Sequence, residues 1–358
     1  MKVLHFAPIL ILFLSCFGCS TDTDTPDDVP ETDALYFPPL DADTWETNSL
    51  AQLGWNEDKL QPLLDFLDAK NTKGFVVLYN GKIAIEHYMN EHSAQKIWYW
   101  ASAGKTLTTA IAGIAQDEGL LNLNTKVSDY LGTGWTSATL DQENLITCKN
   151  LLSMTSGLDD SQGDGIAPEN LQYRADAGTR WAYHNVYVKM QDVVALTSNQ
   201  SWSAYFNSKL RDKIGMTGNW TTINDLSVYW STTRSMARFG LLMAANGKWE
   251  DTQIIPKQFL TEATNTSQNI NLAYGYLWWL NGKENYHLPQ SQMQFNGNLI
   301  PDAPKDMYAA LGKNDQKIYI VPSKNLVIIR MGNAADGDNF ALSNFDNELW
   351  LKLNDVLN

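Results

Sequence analysis

The chain has 358 residues, 44% of them hydrophobic, and a formal net charge of −14. The hydrophobic fraction excludes a disordered chain, and the length predicts two lobes, because a single core stops growing at roughly 250–300 residues. The negative charge argues against nucleic acid as a partner, since basic side chains supply most of the affinity for it.

A short apolar run opens the chain. Residues 6–17 are almost uninterrupted in their hydrophobicity but too few for a transmembrane helix, which needs about 20 residues. This pattern is typical of a secretory signal peptide. Gly18 stands directly before Cys19, which resembles the cleavage box of bacterial lipoproteins. We predict a signal peptide over residues 1–19 and lipidation of Cys19, with an ordinary signal peptide as the alternative.

The tract that follows is rich in Asp, Thr and Pro. This composition predicts a flexible acidic tether over residues 20–44 and a folded domain over 45–358. The expected location is the bacterial cell envelope, in the periplasm or at the outer membrane, with the lipid anchor as the membrane contact. Lipidation of Cys19 would leave Cys148 without a partner, which excludes a disulfide framework and favours a packed small side chain.

The first elements of the domain are a helix and a hairpin. Residues 56–68 have apolar side chains at helical spacing. Residues 75–79 and 82–86 flank Asn80-Gly81. Asn-Gly between two β-rich runs is the strongest short hairpin signal, because both turn residues take positive φ.

The last elements of the domain are again two predicted strands and a helix. Residues 316–321 and 326–331 are two apolar runs joined by Pro-Ser-Lys-Asn, and residues 340–356 predict a closing helix. We therefore predict an α+β fold with a largely antiparallel sheet flanked by helices. Its α/β lobe comes from about 45–100 and 271–358, and a mainly helical lobe of about 101–270 is inserted between them.

One serine and one lysine stand at the start of a predicted amphipathic helix. Ser102 and Lys105 are followed by apolar residues at helical spacing, and Gly119 is a suitable terminator. A serine hydroxyl is a poor nucleophile until a neighbouring group removes its proton. A lysine does so when burial or nearby charge lowers its pKa, and the helix N-terminus offers N–H groups to a developing oxyanion.

Ser-x-x-Lys is a weak motif by itself. A second copy, Ser93 to Lys96, lies in a polar stretch without an amphipathic helix behind it, and a helix-capping serine with a surface lysine explains most such matches. The context of Ser102 therefore selects it as the candidate nucleophile. A third proton-handling group is predicted at Tyr183, with Asn185 in support.

Other catalytic classes find little support. Tyr88-Met89-Asn90 and Tyr205-Phe206-Asn207 repeat the Tyr-x-Asn spacing but are expected to be packing residues. There is no Gly-x-Ser-x-Gly elbow and no metalloprotease spacing among the five histidines. The aspartates at 159, 160 and 164 are expected in a solvated acidic loop. We predict neither a metal nor a cofactor.

Together these motifs make the chain resemble the β-lactamase-like serine hydrolases over about residues 50–358. That group includes class C β-lactamases, D-alanyl-D-alanine carboxypeptidases, family VIII esterases and 6-aminohexanoate-dimer hydrolases. Order and spacing agree along the whole length. The further stretches that agree are TCKNLLSMTSGL at 147–158, ARFGLL at 237–242, YGYLWW at 274–279, IVP at 320–322 and RMG at 330–332.

The resemblance implies roles for the candidate residues. Ser102 would accept the acyl group, Lys105 would help to deprotonate it, and Tyr183 would relay a proton to the leaving group. Asn185 would hold Lys105 or the substrate. The backbone N–H groups of Ser102 and Lys313 would form the oxyanion hole.

The third motif departs from the penicillin-recognising relatives. Those carry Lys-Thr-Gly or His-x-Gly on a strand that faces the serine, whereas Ala310-Leu311-Gly312-Lys313 occupies this place. Gly312 still allows close backbone approach, but the cation for a substrate carboxylate is missing at 310. Gly312 is expected to line the substrate cleft together with Trp181 and Trp278.

The sequence thus predicts a serine hydrolase that cleaves a small-molecule ester or amide through an acyl-enzyme on Ser102. The altered third motif favours an esterase or amidase. The alternatives are a penicillin-binding D-alanyl-D-alanine carboxypeptidase, a β-lactamase, and a catalytically weak ligand-binding relative.

Overall fold

A computed structural model describes residues 35–223, 226–337 and 342–358. Leu35–Asn358 forms one compact unit. The predicted signal peptide, the lipidation site at Cys19 and tether residues 20–34 lie outside the described residues. Within the described ranges, no helix is both long and apolar enough to cross a bilayer.

The strands at the two ends of the domain form one antiparallel sheet, as predicted. Its order is β2-β1-β13-β12-β11-β8. The described strands are β1 (Thr72–Tyr79), β2 (Lys82–Tyr88), β3 (Trp98–Tyr99), β4 (Asn219–Ile223), β5 (Leu226–Ser231), β6 (Lys248–Trp249), β7 (Thr252–Gln253), β8 (Trp279–Leu280), β9 (Asn285–His287), β10 (Gln294–Asn296), β11 (Tyr308–Gly312), β12 (Gln316–Val321) and β13 (Leu326–Gly332).

Along the chain, most of the described helices lie between the strands that form the two halves of the sheet. The described α-helices are α1 (Leu50–Leu53), α2 (Leu60–Ala69), α3 (Lys105–Asp117), α4 (Val127–Leu131), α5 (Leu140–Glu143), α6 (Cys148–Leu152), α7 (Val188–Ser198), α8 (Trp202–Phe206), α9 (Thr233–Ala244), α10 (Lys257–Ala263) and α11 (Asn344–Leu357). Short 3-10 turns at Ala101–Gly104, Asn185–Tyr187 and Lys313–Asp315 matter for the site.

Helices cover both faces of the sheet. Gly240 of α9 lies so close to β13 that a Cβ there would be 2.4 Å from Val327 Cγ1 and 3.4 Å from Ile318 Cγ2. On the other face, the ring of Trp350 in α11 packs on Tyr319, with centroids 5.7 Å apart. Ile318 and Tyr319 are neighbours on β12, so their side chains point to opposite faces. The core therefore lies on both sides of the sheet.

The predicted hairpin is confirmed. Asn80 and Gly81 have φ of 48° and 82° and connect β1 to β2. Gly81 has a second constraint, because a Cβ would stand 2.0 Å from the carbonyl oxygen of Tyr36. The predicted closing helix is α11, whose expected apolar face is buried at Phe345, Leu349, Leu353 and Val356. Residues 340 and 341 of that prediction lie outside the described residues.

Residues 101–270, predicted as an inserted helical lobe, hold most of the described helices and also strands that the sequence did not indicate. β4 and β5 pair with each other, and β3 joins them through Trp98↔Ser231 and Tyr99↔Trp230. The predicted helix behind Ser102 is α3, in which residues 105–115 are all buried. A helix that is buried on all sides lies in the interior of the fold and not at its surface.

The folded part starts earlier than predicted. Arg238, in α9, donates to the carbonyl oxygens of Pro39 at 2.7 Å and Ile214 at 3.0 Å. Tyr36 N donates to Asn80 O at 3.0 Å. Residues 35–44 have the composition of a linker, but their backbone carbonyls satisfy a buried guanidinium. The expected tether over 20–44 is therefore wrong for 35–44, which belong to the compact unit Leu35–Asn358.

Candidate active site

Ser102 lies in the tight turn that leads into α3. The turn Ala101–Gly104 is 3-10 helical, and α3 begins at Lys105. Ala101 has φ of 46°, a left-handed conformation that costs a residue with a side chain about 1–3 kcal/mol and concentrates at functional sites. Buried Trp100 anchors the turn, because its Nε1 donates to Ser231 Oγ at 2.8 Å. The half-buried Ser102 is thus held at the start of a long helix.

Lys105 is the direct partner of Ser102. Its Nζ donates to Ser102 Oγ at 2.7 Å, and only 3% of the side chain is exposed. Burial lowers the pKa of Lys105 to about 7, although the negative charge of Asp164 acts in the opposite direction. Loss of hydration disfavours the ammonium form. A large fraction of Lys105 is therefore a neutral amine near pH 7, able to accept the serine proton.

Asn185 links Lys105 to the loop that carries Asp164. Asn185 Oδ1 accepts from Lys105 Nζ at 3.4 Å, and its Nδ2 donates to Asp164 Oδ1 at 3.1 Å and Asp164 O at 3.2 Å. Each end of the amide has a partner, so its orientation is defined. Asn185 therefore contacts Lys105, one of the two partners predicted for it, and joins it to Asp164, which the sequence placed in a solvated acidic loop and not in the site.

Tyr183 is the third predicted group and forms a hydrogen bond with Ser102. Burial raises the pKa of Tyr183 to about 12, while hydrogen bonds with Ser102 and the Trp279 side chain act in the opposite direction. The ring also lies 5.2 Å from Lys105 Nζ. A phenol of this pKa stays protonated at neutral pH and serves as a proton donor. The four predicted side chains, Ser102, Lys105, Tyr183 and Asn185, are thus brought together.

The competing motifs have other partners. Lys96 Nζ donates to the carbonyl oxygen of Glu91 and is exposed, away from any helix start. Tyr88 donates to Glu86 Oε1 at 2.6 Å, and Tyr205 donates to Glu118 Oε2 at 3.0 Å. These tyrosines pack and pair as the sequence indicated. The choice of Ser102 over the second Ser-x-x-Lys copy agrees with this geometry.

β11 runs against the nucleophile turn at Gly312. A Cβ on Gly312 would be 2.7 Å from Trp100 O and 2.8 Å from Ala103 N, which leaves no space for a side chain. Lys313 follows directly, with an exposed side chain, in a three-residue turn between β11 and β12. Gly312 therefore lets the strand backbone lie against the turn that carries Ser102, the close approach that the sequence predicted, while its place in the substrate cleft stays a prediction.

Two predicted cleft residues are core residues. Trp181 and Trp278 are both 0% exposed. Trp181 Nε1 donates to Leu288 O at 2.9 Å, and Trp278 packs between the rings of Phe239 and Tyr308. They expose no surface to a ligand, so their expected cleft role is wrong. Large aromatic rings such as these fill the interior beside the site. Their closeness to the motifs in the sequence did not show that they would be buried.

The acidic loop also differs from expectation. Asp160 is 2% exposed and forms an ion pair with Arg180 at 2.7 Å, so it is a buried structural group and not a solvated one. Across the described residues, no group of three or more His, Cys, Asp or Glu side chains is arranged to hold a metal. Cys148 is a buried free cysteine, and burial raises the pKa of its thiol to about 12.

The site also contains a histidine that has no predicted role. His184, between Tyr183 and Asn185, is 7% exposed, and its Nε2 lies 3.4 Å from Ser156 Oγ. Burial lowers the pKa of His184 to about 4, reinforced by the positive charges of Lys105 and Arg180. It is therefore neutral under physiological conditions. The aromatic neighbours Tyr187 and Trp279 complete the surroundings of the catalytic groups.

The fold thus places a serine and a lysine one helical turn apart beside a buried tyrosine. The model of the family described as Beta-lactamase matches residues 66–349. The chain belongs to this family of serine hydrolases. Among curated proteins, none matches the sequence significantly.

Solved structures share the fold. A Bacillus anthracis protein provisionally named a 6-aminohexanoate-dimer hydrolase is 18% identical, with a TM-score of 0.69 over 90% of this chain and 89% of its own. A family VIII carboxylesterase is 14% identical, with a TM-score of 0.63 over 82% and 96%. A penicillin-binding protein from Bacillus halodurans is 13% identical, with a TM-score of 0.59 over 81% and 99%. At these identities the similarity shows the fold alone.

Proposed function

We propose that the protein hydrolyses an ester or amide through an acyl-enzyme on Ser102. The observation that supports this most directly is the 2.7 Å contact between Lys105 Nζ and Ser102 Oγ, made by a buried amine whose pKa is lowered to about 7. A buried neutral lysine at a serine hydroxyl is the requirement for general-base activation.

In the first half-reaction, Ser102 Oγ forms a bond to the substrate carbonyl carbon as its proton passes to Lys105. The tetrahedral intermediate then breaks the bond to the leaving group, which takes a proton from Tyr183 as it departs. Lys105 returns the proton to Tyr183, so the charges balance. In the second half, a water oxygen forms a bond to the acyl carbon as one of its protons passes to Lys105. The tetrahedral intermediate then breaks the bond to Ser102 Oγ, which takes that proton back, so the acid product leaves and Ser102, Lys105 and Tyr183 return to their starting protonation.

The oxyanion would be held by two backbone N–H groups, those of Ser102 and Lys313. Gly312 supports this pairing, because its lack of a side chain lets β11 approach Trp100 O and Ala103 N in the nucleophile turn. Donors fixed in advance at the developing negative charge are among the largest contributions to catalysis. The exposed side chain of Lys313 takes no part in this contact.

The substrate is proposed to be a neutral ester or amide. Ala310, at the place where penicillin-recognising relatives carry a cation, is a buried alanine in β11. A carboxylate on the substrate would find no partner there. This favours an esterase or amidase over a D-alanyl-D-alanine carboxypeptidase or β-lactamase. The latter remain the second candidate because Ser102, Lys105 and Tyr183 serve that chemistry equally well.

The test is mass spectrometry of the purified domain after separate incubation with a short-chain nitrophenyl ester, a cephalosporin and a fluorophosphonate. We expect an adduct on Ser102, rapid ester turnover and little cephalosporin turnover. A slow, stable adduct from the cephalosporin would favour the penicillin-binding candidate. No adduct from any of the three would contradict a hydrolase and favour a ligand-binding relative.

Ser102→Ala is the variant that should lose labelling, and Ser93→Ala is its matched control. Both serines stand three residues before a lysine, so the two variants test the same motif in two contexts. Labelling that survives in Ser102→Ala and disappears in Ser93→Ala would contradict the assignment.

We further propose that the protein is exported and anchored in the cell envelope by a lipid on Cys19. Support comes from the sequence of residues 1–33, with its apolar run and acidic tract. Metabolic labelling with a fatty acid in a bacterial host should mark the protein, and Cys19→Ser should abolish the label while Cys16→Ser retains it. A soluble, unlabelled product from the unaltered sequence would contradict the proposal.

A further inference from the structure

The surroundings of Lys105 pose an electrostatic problem. When Lys105 accepts the serine proton, a full positive charge appears on a side chain that is 3% exposed. Asp164 is the carboxylate whose charge acts on it, but that contact is relayed through Asn185. Within the described residues, no carboxylate forms a direct ion pair with Lys105. A buried charge without a charged partner is costly, so a neutral group that attracts a cation would stabilise it.

Two aromatic rings lie close to Lys105. Lys105 Nζ lies 4.7 Å from the ring centroid of Tyr187 and 5.2 Å from that of Tyr183. An ammonium within about 6 Å of a ring centroid is attracted by the negative face of the ring, most strongly where water is excluded. Tyr187 is the nearer ring, and its side chain is 6% exposed.

Tyr187 is also positioned by the site itself. It ends the 3-10 turn Asn185–Tyr187, which begins with the amide that contacts Lys105, and α7 starts at the next residue. Burial raises the pKa of the Tyr187 phenol, so the ring is neutral and acts through its π face and not as a phenolate. The other titratable groups facing Lys105 are Tyr183, His184 and Asp164.

We propose that the ring face of Tyr187 stabilises the ammonium that forms on Lys105 during acylation, which makes Tyr187 a positioning residue for the general base. The inference rests on the proposed function. It assigns to Tyr187 a task distinct from that of Tyr183, whose hydroxyl handles the leaving-group proton. Tyr187 contributes its ring, and its hydroxyl is dispensable.

A fluorination series tests this without changing the shape of the core. Tyr187→Phe keeps the ring and should acylate Ser102 at nearly the wild-type rate. Tyr187→3,4,5-trifluorophenylalanine has the same outline, but its ring face attracts a cation less. We expect it to acylate about five- to thirtyfold more slowly than Tyr187→Phe, the range that a desolvated cation–π contact spans.

The pH profile gives a second readout that a structural role would not change. A ring that attracts the ammonium less makes Lys105 a weaker base, so the midpoint of the acylation profile should move to lower pH as fluorines are added. The matched control is the same fluorination at Tyr205, whose ring lies 5.5 Å from Lys209 Nζ and which has no role in the proposed mechanism. It should change neither rate nor midpoint.

Equal rates and equal midpoints for the Phe and trifluorophenylalanine variants at 187 would overturn this inference alone, provided that wild-type Ser102 is labelled. An unlabelled wild-type Ser102 would overturn the proposed function, and this inference with it. A loss of rate in Tyr187→Phe as large as in the fluorinated variant would also overturn it, because the hydroxyl would then be the active part.

Discussion

Arg330 donates to the carbonyl oxygen of Asn314 at 2.9 Å, which ties the centre of the sheet to the turn that follows Gly312. The guanidinium is 0% exposed and also donates to Asp315 O at 3.0 Å. Asn314 and Asp315 have φ of 59° and 58°, so the turn holds two strained residues in a row. Arg330 therefore supports the backbone that carries the proposed oxyanion donor.

Arg330→Lys should weaken both the fold and the acylation step. Lysine cannot reproduce the fork of donors, so buried carbonyls lose their partners, and we expect the free energy of unfolding to fall by about 2–4 kcal/mol. The rate of acylation should fall while KM changes little. Urea denaturation and ester kinetics measure the two effects. Arg174→Lys, at an exposed position, is the control, and equal stability of both variants would contradict this role for Arg330.

Lys105→Ala should lower the acylation rate of Ser102 by about 10²–10⁴-fold, the usual contribution of one general base, without unfolding the protein. The rate of fluorophosphonate labelling measures this directly. Lys96→Ala, in the second motif, should label like the wild type. A wild-type labelling rate in Lys105→Ala would contradict the role of Lys105 as general base.

Lys105→Met should make the protein more stable at pH 7 and remove a pH dependence. The pKa of Lys105 is about 7 when folded against 10.5 as the ordinary value. Between these values the unfolded chain binds more protons, so the free energy of unfolding rises with pH, by at most about 1.4 kcal/mol per unit. Urea denaturation at pH 7 and pH 9 should show this rise in the wild type and its reduction in the variant. The same slope in both proteins would contradict the lowered pKa.

Tyr183→Phe should lower the acylation rate by an amount that depends on the leaving group of the substrate. A nitrophenolate departs without a proton, whereas an alkoxide needs one, so alkyl esters should acylate Ser102 about 10²–10⁴-fold more slowly and nitrophenyl esters should be affected much less. Stopped-flow measurement of both esters provides the comparison, with Tyr88→Phe as the control. An equal loss for both substrates would show that Tyr183 acts before the leaving group departs.

The sequence predicted correctly those features that depend on residues a few positions apart. Asn80-Gly81 predicted its hairpin because few residues take positive φ, and Ser102 with Lys105 predicted a helical contact because residues three apart share a face. These relationships are local. They require no knowledge of what packs across the chain.

Long-range contacts were beyond such reasoning. Tyr187 lies far from Lys105 in the sequence, and nothing in its neighbourhood indicates which cation its ring will meet. Trp181 and Trp278 were assigned to the cleft from their position near motifs, but burial depends on the whole interior. A buried arginine such as Arg330 cannot be told from a surface one by composition alone.

The contacts of Arg238 also set a limit on proteolysis. Its guanidinium depends on carbonyl groups of residues 38, 39 and 42. A protease that released the enzyme from its proposed anchor by cutting after residue 44 would remove those acceptors from a buried cation. Shedding that preserves these contacts must therefore cut on the N-terminal side of Pro38.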